Sequence, residues 1–341
     1  MRRREILELN MTAVVAFLLM LFLLIPGCQK SCNLSPSPSQ PVASEAPTPT
    51  LTTTPTATPT PLPYAMRNAQ CLSKIIVGKQ FDYSPEEKEE VHLISAKLGV
   101  DSQLIAEANH LSRFSTVNPG RSLHIDNQHI APCDITKGIL VNLPQRMLFH
   151  YREDGSLEES YPVAVGKPEW ETPIGSFAVI TKHKNPVWVV PKDIQEEMED
   201  EGKEVKTRVE PGPDNPLGNY WMGLSIPGIG IHATNVPASV YSYRTHGCVR
   251  LTPDNVKELF GHVSKNEFGM IVYEPVLFAK LDDGRVFMEV DRDIYEKDLT
   301  DMDHVKQLAD SMKLSDMIDW DGAADVVDDH DGIAHDVTAK K

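Results

Sequence analysis

The stretch Thr245-His246-Gly247-Cys248-Val249-Arg250-Leu251 is the most informative part of this sequence, and a second histidine, His232, precedes it. Cys248 follows a glycine and has two imidazoles in plausible reach. Only the thiolate attacks a carbonyl well, and a histidine can remove the thiol proton because its own pKa lies near neutrality. The pattern therefore predicts a thiol nucleophile at Cys248.

The sequence around this stretch predicts a mainly β domain over residues 137–293. Short runs rich in Val, Ile and aromatic residues alternate there with Gly, Pro and Asn turns, which is typical of a β-sandwich or barrel. One helix is expected at 253–262, with Thr252 as its N-cap and Pro253 in its first turn. Trp188 and Trp221 are expected in the core.

Region 137–293 resembles the catalytic domain of the L,D-transpeptidases, the YkuD-type family in its ErfK/YbiS branch. The family pattern is a histidine, a gap, and Ser/Thr-His-Gly-Cys followed by a small apolar residue and Asn or Arg. The departure from it is Ala233, where the family more often has glycine. The matching pieces in this chain are Gly166–Gly175, Asn185–Pro191, Gly212–Gly218, Ile231–Asn235 and Thr245–Leu251.

The resemblance implies a mechanism without cofactor or metal. Cys248 would attack a peptidoglycan stem tetrapeptide after its third residue and form a thioester, which an amine of a neighbouring stem resolves. His232 would be the base, oriented by the carbonyl of Ala233, and backbone N–H groups around Gly247 and Cys248 would hold the oxyanion. His246 remains a competing base, because residues two apart share a face of an extended segment. Carbapenems are expected inhibitors.

Four further residues are expected to bind substrate. Arg250 suits a substrate carboxylate, since a guanidinium matches its geometry, although a structural salt bridge is the alternative. The remaining three are Asn235 and Tyr243, in the loop between the two motifs, and Thr245, the first residue of the Cys248 motif.

The N-terminus predicts export and membrane attachment. A basic start, an apolar run from Met11 to Ile25 and a small residue before Cys28 describe a secretory signal over 1–28. The resemblance to a lipobox implies lipidation of Cys28, and an uncleaved signal anchor is the alternative. Residues 29–70 are rich in Pro and Thr, which predicts a disordered, extended linker.

A small α+β domain is expected over 71–133. Ser84 and Pro85 predict the start of a helix that ends at Gly99, and a second helix, a turn and a strand follow Asp101. This order resembles the LysM module, which binds peptidoglycan glycan strands, and a spacer that only packs on its neighbour is the alternative. Cys71 and Cys133 flank the domain, so a disulfide between them is plausible in an oxidising compartment.

Residues 294–341 form an acidic segment in which short helices are expected to pack on the catalytic domain. The net charge of −16 argues against nucleic-acid binding. The leading hypothesis is a transpeptidase of the cell envelope, tethered outside the cytoplasm. Its alternatives are an L,D-carboxypeptidase, a lipoprotein-anchoring enzyme and a non-catalytic wall-binding tether.

Overall fold

A computed structural model describes residues 70–340. The signal segment, Cys28 and nearly all of the expected linker lie outside these residues. Within residues 70–340, no helix combines the length and the apolar character that crossing a membrane requires.

The N-terminal module has its own small core, and its order of strand, helix, helix, strand follows the expectation. Val91, Ile94, Ile105 and Leu123 are buried in that core. Its elements are β1 (Ile76–Val77), β2 (Gln80–Tyr83), β3 (Glu89–Glu90), α1 (Val91–Leu98), α2 (Ser102–Ala108), β4 (Thr116–Val117), β5 (Leu123–Asp126) and β6 (His129–Ile130).

Helix α1 begins later than the sequence predicts. Ser84 and Pro85 do not start it, because Glu89 and Glu90 pair as a strand with β4 and the N–H of Val91 donates to the carbonyl of Ser115. The predicted end is confirmed, since Gly99 caps α1 in the left-handed conformation at φ 70°. A disulfide joins Cys71 to Cys133 and closes the module at its base.

The catalytic region is built on one continuous sheet of eight strands, in the order β17-β15-β14-β11-β18-β7-β8-β9. Its elements are β7 (Gly138–Asn142), β8 (Met147–Tyr151), β9 (Leu157–Pro162), β10 (Val165–Gly166), β11 (Gly175–Lys184), β12 (Trp188–Val189), α3 (Lys192–Asp200), β13 (Arg208–Val209), β14 (Tyr220–Leu224), β15 (Gly230–His232), β16 (Tyr243–Thr245), β17 (Val249–Arg250), α4 (Pro253–His262) and β18 (Phe268–Val272).

The sheet folds into two halves that share the long strand β11, and their inner faces pack on each other as in a sandwich. Its first four residues pair with β18, and after an irregularity between Val179 and Thr181 it pairs with β14. Ile139 and Ile271 from one half meet Met222 and Ile231 from the other in one buried cluster. Helix α4 covers this cluster with Val256 and Leu259, and its predicted bounds and Thr252 cap are confirmed.

The C-terminal segment is a third unit with its own core. It contains β19 (Val276–Lys280), β20 (Val286–Val290), α5 (Met302–Ser311), α6 (Trp320–Asp329) and β21 (His335–Asp336). The sequence predicts that the helices pack on the catalytic domain. In the structure they pack on this three-stranded sheet instead. The expected boundary at residue 293 therefore divides β19 and β20 from the helices that cover them.

Candidate active site

Cys248 and His232 lie in one cleft, with a volume of about 820 Å³. Strand β15 ends in His232 and runs parallel to β17, so that Ile231 is opposite Val249 and His232 opposite Arg250. Cys248 directly precedes β17 and is half-buried with a free thiol. The ladder between the two strands thus brings together two residues that are well separated in sequence.

Gly247 has a backbone conformation that explains the glycine of the motif. Its φ of +101° lies where L-residues are rarely found, and a Cβ there would lie 3.0 Å from Cδ1 of Ile229. The Oγ1 atom of Thr245 accepts the N–H of Gly247 at 3.2 Å and donates to the carbonyl of Cys248 at 2.6 Å. The N–H of Gly247 is therefore occupied, contrary to its expected role in the oxyanion hole, and Thr245 shapes the turn.

The ring of His232 is held on two sides. Its Nδ1 lies 2.5 Å from the carbonyl oxygen of Ala233, so Nδ1–H is the donor and Nε2 keeps the lone pair of the neutral ring. The indole of Trp221 stacks on the ring with 5.8 Å between centroids. Gly230 makes room for that indole, since a Cβ there would lie 2.4 Å from it. Trp221 thus lines the cleft and supports His232.

The resting charges of the two groups follow from their burial. Burial lowers the pKa of His232 to about 3, and the positive charge of Arg250 acts in the same direction. Burial also raises the pKa of the Cys248 thiol, against smaller opposite effects of the Gly230 backbone and Arg250. Both shifts favour neutral forms, so the resting site holds a thiol and a neutral imidazole.

His246 has a different partner. Its Nε2 lies 2.5 Å from Oε2 of Glu197, and the edge of Trp170 contacts its ring. Glu197 also accepts a hydrogen bond from Nζ of Lys167 at 2.8 Å. The hydrogen bond from Lys167, and to a smaller extent the one with His246, lower the pKa of Glu197. Sequence reasoning gave neither residue a role. Glu197 belongs to none of the matching pieces, and nothing in the piece Gly166–Gly175 singles out Lys167.

One wall of the cleft is formed by residues 186–217, which we call the cover segment. It consists of β12, α3 and β13, and the buried amide of Asn215 closes its base by donating to the carbonyl of Pro186 at 2.9 Å. Trp188, expected in the core, lies in this wall with Ile194 and Met198. Glu197 on α3 is the polar contact between the cover segment and the Cys248 motif.

The four expected substrate-binding residues separate into two groups. Arg250 and Thr245 line the cleft. Tyr243 does not line it, because its ring packs on the core and its hydroxyl donates to the carbonyl of Pro144. Asn235 is exposed on the surface and donates weakly to Pro213, also away from the cleft.

Arg250 is mostly enclosed but lacks an anionic partner among residues 70–340. No carboxylate of this part of the chain lies within 4.0 Å of its guanidinium. Its Nη1 donates to Oγ of Ser239 at 3.0 Å, and its buried Nε has no hydrogen-bond partner among the described residues. The structural salt bridge considered from sequence is therefore absent from this region, and an uncompensated cation faces the cleft.

Comparisons with known proteins agree with this arrangement. The family model described as the L,D-transpeptidase catalytic domain matches residues 136–277. The probable L,D-transpeptidase ErfK/SrfK of Salmonella typhimurium is 32% identical over 199 residues, which are 58% of this chain and 63% of that protein. The putative L,D-transpeptidase YqjB of Bacillus subtilis is 33% identical over 143 residues, which are 40% of this chain and 67% of that protein.

Among solved structures, the catalytic domain of an E. faecium L,D-transpeptidase shares 27% identity and covers 41% of this chain and 99% of its own, with a TM-score of 0.32. The aligned part of this chain spans less than two thirds of the Salmonella relative. The region matched by the family model contains both His232 and Cys248. This chain therefore belongs to the L,D-transpeptidase family, and residues 136–277 are its catalytic domain.

Proposed function

We propose that this protein forms peptidoglycan cross-links through an acyl-enzyme on Cys248. The observation that carries the proposal is the hydrogen bond from Nδ1 of His232 to the carbonyl of Ala233. It leaves Nε2 as the proton-accepting nitrogen of a ring that lines the same cleft as the thiol. A neutral base beside a neutral thiol suits proton transfer during attack.

In the first half-reaction, Sγ of Cys248 bonds to the carbonyl carbon of the third stem residue while His232 takes the thiol proton. The C–N bond to the terminal D-alanine then breaks, and the imidazolium returns its proton to the leaving amine. In the second half, the amine of a neighbouring stem attacks the thioester, His232 removes its proton, and the thiol is restored. The N–H of Cys248 is the candidate oxyanion donor, since that of Gly247 is occupied.

The assay incubates the purified full-length chain with tetrapeptide muropeptides and follows the products by mass spectrometry. A cross-linked dimer with release of D-alanine supports the proposal, and Cys248→Ala should abolish it without loss of sedimentation with sacculi. Tripeptide alone would indicate a carboxypeptidase, and an adduct on a lipoprotein lysine would indicate an anchoring enzyme. Turnover by Cys248→Ala would contradict the thiol mechanism. An adduct with a carbapenem is expected on Cys248 and should be absent from the variant.

We also propose that residues 71–133 form a LysM-like module that holds glycan strands. Its strand-helix-helix-strand order, with β2 paired to β5, supports this. The proposal predicts that the Cys248→Ala chain sediments with sacculi and that deletion of 71–133 prevents this. If the deletion variant retains its catalytic activity and sediments equally well, the module is a spacer.

Attachment to the membrane outside the cytoplasm completes the proposal. It rests on the apolar run and Cys28, which both precede the described residues. Mass spectrometry of the mature N-terminus distinguishes a lipidated Cys28 from an uncleaved anchor, and a cleaved, unmodified terminus would exclude both.

A further inference from the structure

A cluster of two histidines and two glutamates lies outside the active-site cleft, at the β9 end of the large sheet. His150 belongs to β8, Glu158 to β9, and His262 is the last residue of α4. One ligand-type atom of each lies within 4.8 Å of the other two. These residues line a separate cavity of about 630 Å³ that shares no residue with the cleft around Cys248.

Glu267 fixes the ring of His150. The Nε2 atom lies 2.7 Å from Oε1 of Glu267, and the other carboxylate oxygen accepts the N–H of Ser264 at 2.6 Å. Since a carboxylate oxygen accepts hydrogen bonds, Nε2–H of His150 is the donor of this contact, and Nδ1 of the neutral ring carries a lone pair.

That lone pair has no hydrogen-bond partner. His150 is only 5% exposed, and its Nδ1 is a buried polar atom without a hydrogen bond in the described part of the chain. The nearest charged atom is Oε2 of Glu158, at 3.1 Å. Two electron-rich atoms facing each other at this distance are unfavourable unless a cation or proton lies between them.

The remaining contacts also favour a cation. Nδ1 of His262 lies 3.8 Å from Oε1 of Glu158. His262 occupies the C-terminal end of α4, where the helix dipole attracts positive charge. The only other cationic contact to Glu158 among residues 70–340 is Nε of Arg152, at 3.5 Å and half exposed.

We propose that His150, Glu158 and His262 bind a divalent transition-metal ion of the zinc class. Two imidazoles and one carboxylate are a common zinc ligand set, in which solvent fills the open position. Glu267 then orients the metal-bound ring through its hydrogen bond to Nε2 of His150, as carboxylates commonly do for zinc-binding histidines. Ligand atoms about 2 Å from a tetrahedral zinc ion lie about 3.3 Å apart. The three ligand atoms here lie within 4.8 Å of one another, so the exposed ring of His262 has to move by less than about 2 Å to bind the ion.

Sequence reasoning expected no metal here because the three ligands show no motif spacing. The irregularity in the pairing of β8 with β9 and the return of α4 to this edge bring them together. The bound ion would join β8 and β9 to α4, the helix that directly follows the Cys248 motif.

The test is titration with ZnCl₂ by isothermal calorimetry on the full-length chain in detergent, with Cys28→Ser, Cys32→Ser and Cys248→Ser to remove competing thiols. One site per chain is expected. His262→Gln and Glu158→Gln should each weaken it by at least about tenfold. Their matched controls, His304→Gln and Glu159→Gln, should bind zinc as the parent does. All four side chains are at least partly exposed, and circular dichroism verifies folding.

Anomalous diffraction at the zinc edge gives an independent readout. A peak between the rings of His150 and His262 is expected in the parent and should be absent in His262→Gln. Equal zinc affinity of His262→Gln and the parent, or no binding at millimolar ZnCl₂, would overturn the proposal and assign a bridging proton to the gap between His150 and Glu158.

Discussion

Nδ1 of His232 lies 2.5 Å from the carbonyl oxygen of the next residue, Ala233. The acceptor is a backbone atom, so the family glycine and the alanine of this chain can both supply it. The bond decides which ring nitrogen is free to act on the thiol, and it does so without a carboxylate that would stabilise an imidazolium. The resting pair is therefore neutral, which distinguishes it from a thiolate–imidazolium pair.

The neutral pair predicts how alkylation of Cys248 depends on pH. Because burial raises the thiol pKa and lowers that of His232 to about 3, the iodoacetamide reaction rate should rise steadily through pH 6–9. Labelling followed by mass spectrometry measures it, with His232→Gln for comparison. A reactive plateau between pH 5 and 8 would instead require a preformed thiolate.

Arg250 should select substrates with a free carboxylate. Its enclosed guanidinium lacks an anion within residues 70–340, so a bound carboxylate would satisfy it. We expect Arg250→Gln to reduce kcat/KM about tenfold or more for the acid form of the stem and much less for a C-terminal amide. Arg244→Gln, an exposed change on strand β16, is the control. Equal losses on both substrates would contradict carboxylate binding.

Glu197 should hold the cover segment against the Cys248 motif. We expect Glu197→Gln to raise KM several-fold, because it weakens the contacts to Lys167 and His246, while the free energy of unfolding changes by no more than about 1 kcal/mol. Steady-state kinetics and urea titration measure the two effects. Glu196→Gln on the same helix should leave both unchanged, and identical kinetics of the two variants would exclude this positioning role.

The Cys71–Cys133 disulfide should stabilise the N-terminal module. It closes a loop with a sequence separation of 62 residues, for which chain entropy gives about 4 kcal/mol. The double variant Cys71→Ser, Cys133→Ser should therefore unfold at lower urea by circular dichroism. Cys248→Ser makes the same chemical change outside the bridge and serves as the control. An unchanged midpoint would show that packing alone holds the module.

Asp291 should destabilise the protein as the pH rises. Its pKa is raised because it is buried beside Glu289, and neither of its oxygens has a hydrogen-bond partner among the described residues. A raised folded-state pKa means that its stabilising contribution is present below the unfolded pKa and lost as pH increases through the folded value. Asp291→Asn should therefore be more stable than the parent at pH 8 by about 1 kcal/mol or more, with a smaller difference near pH 4.

Glu289→Gln alters the same buried region, but it is expected to destabilise the protein where Asp291→Asn stabilises it. Glu289 accepts hydrogen bonds from the N–H of Ile130, the ring of His129 and the amide of Gln145. Replacing one acceptor oxygen by an NH₂ group should destabilise the protein by about 1–3 kcal/mol. Urea titrations from pH 4 to 9 compare both variants. If both variants changed the free energy of unfolding in the same direction at pH 8, the charges of Asp291 and Glu289 would not determine the stability of this region.

The sequence predicts the β-rich catalytic region and helix α4 well because their signals are local. Thr252, Pro253 and the apolar spacing define α4 within a single segment. The start of α1 was missed because Glu89 and Glu90 are recruited into a strand by residues 116–117, a tertiary pairing that opposes the capping signal of Ser84.

The active site shows the same limit. Motif chemistry indicates Cys248 and His232, but the roles of Glu197 and Trp221 depend on how the cover segment and β14 fold over the cleft. Tyr243 and Asn235 were expected beside the substrate from their nearness in sequence to the motifs. For Tyr243 this expectation is wrong, because its side chain on β16 points towards Pro144 and away from the cleft.

Tyr295 lies eighteen residues beyond the end of the matched family region, 136–277. Its hydroxyl nevertheless donates to the carbonyl of Gly166 at 2.7 Å, and its ring stacks on Tyr273 inside the catalytic core. A fragment cut at the family boundary would lose this phenol and expose the carbonyl and aromatic face that it covers. We therefore expect a fragment limited to residues 136–277 to be less stable than one that includes Tyr295, with the strand that carries Gly166 loosened first.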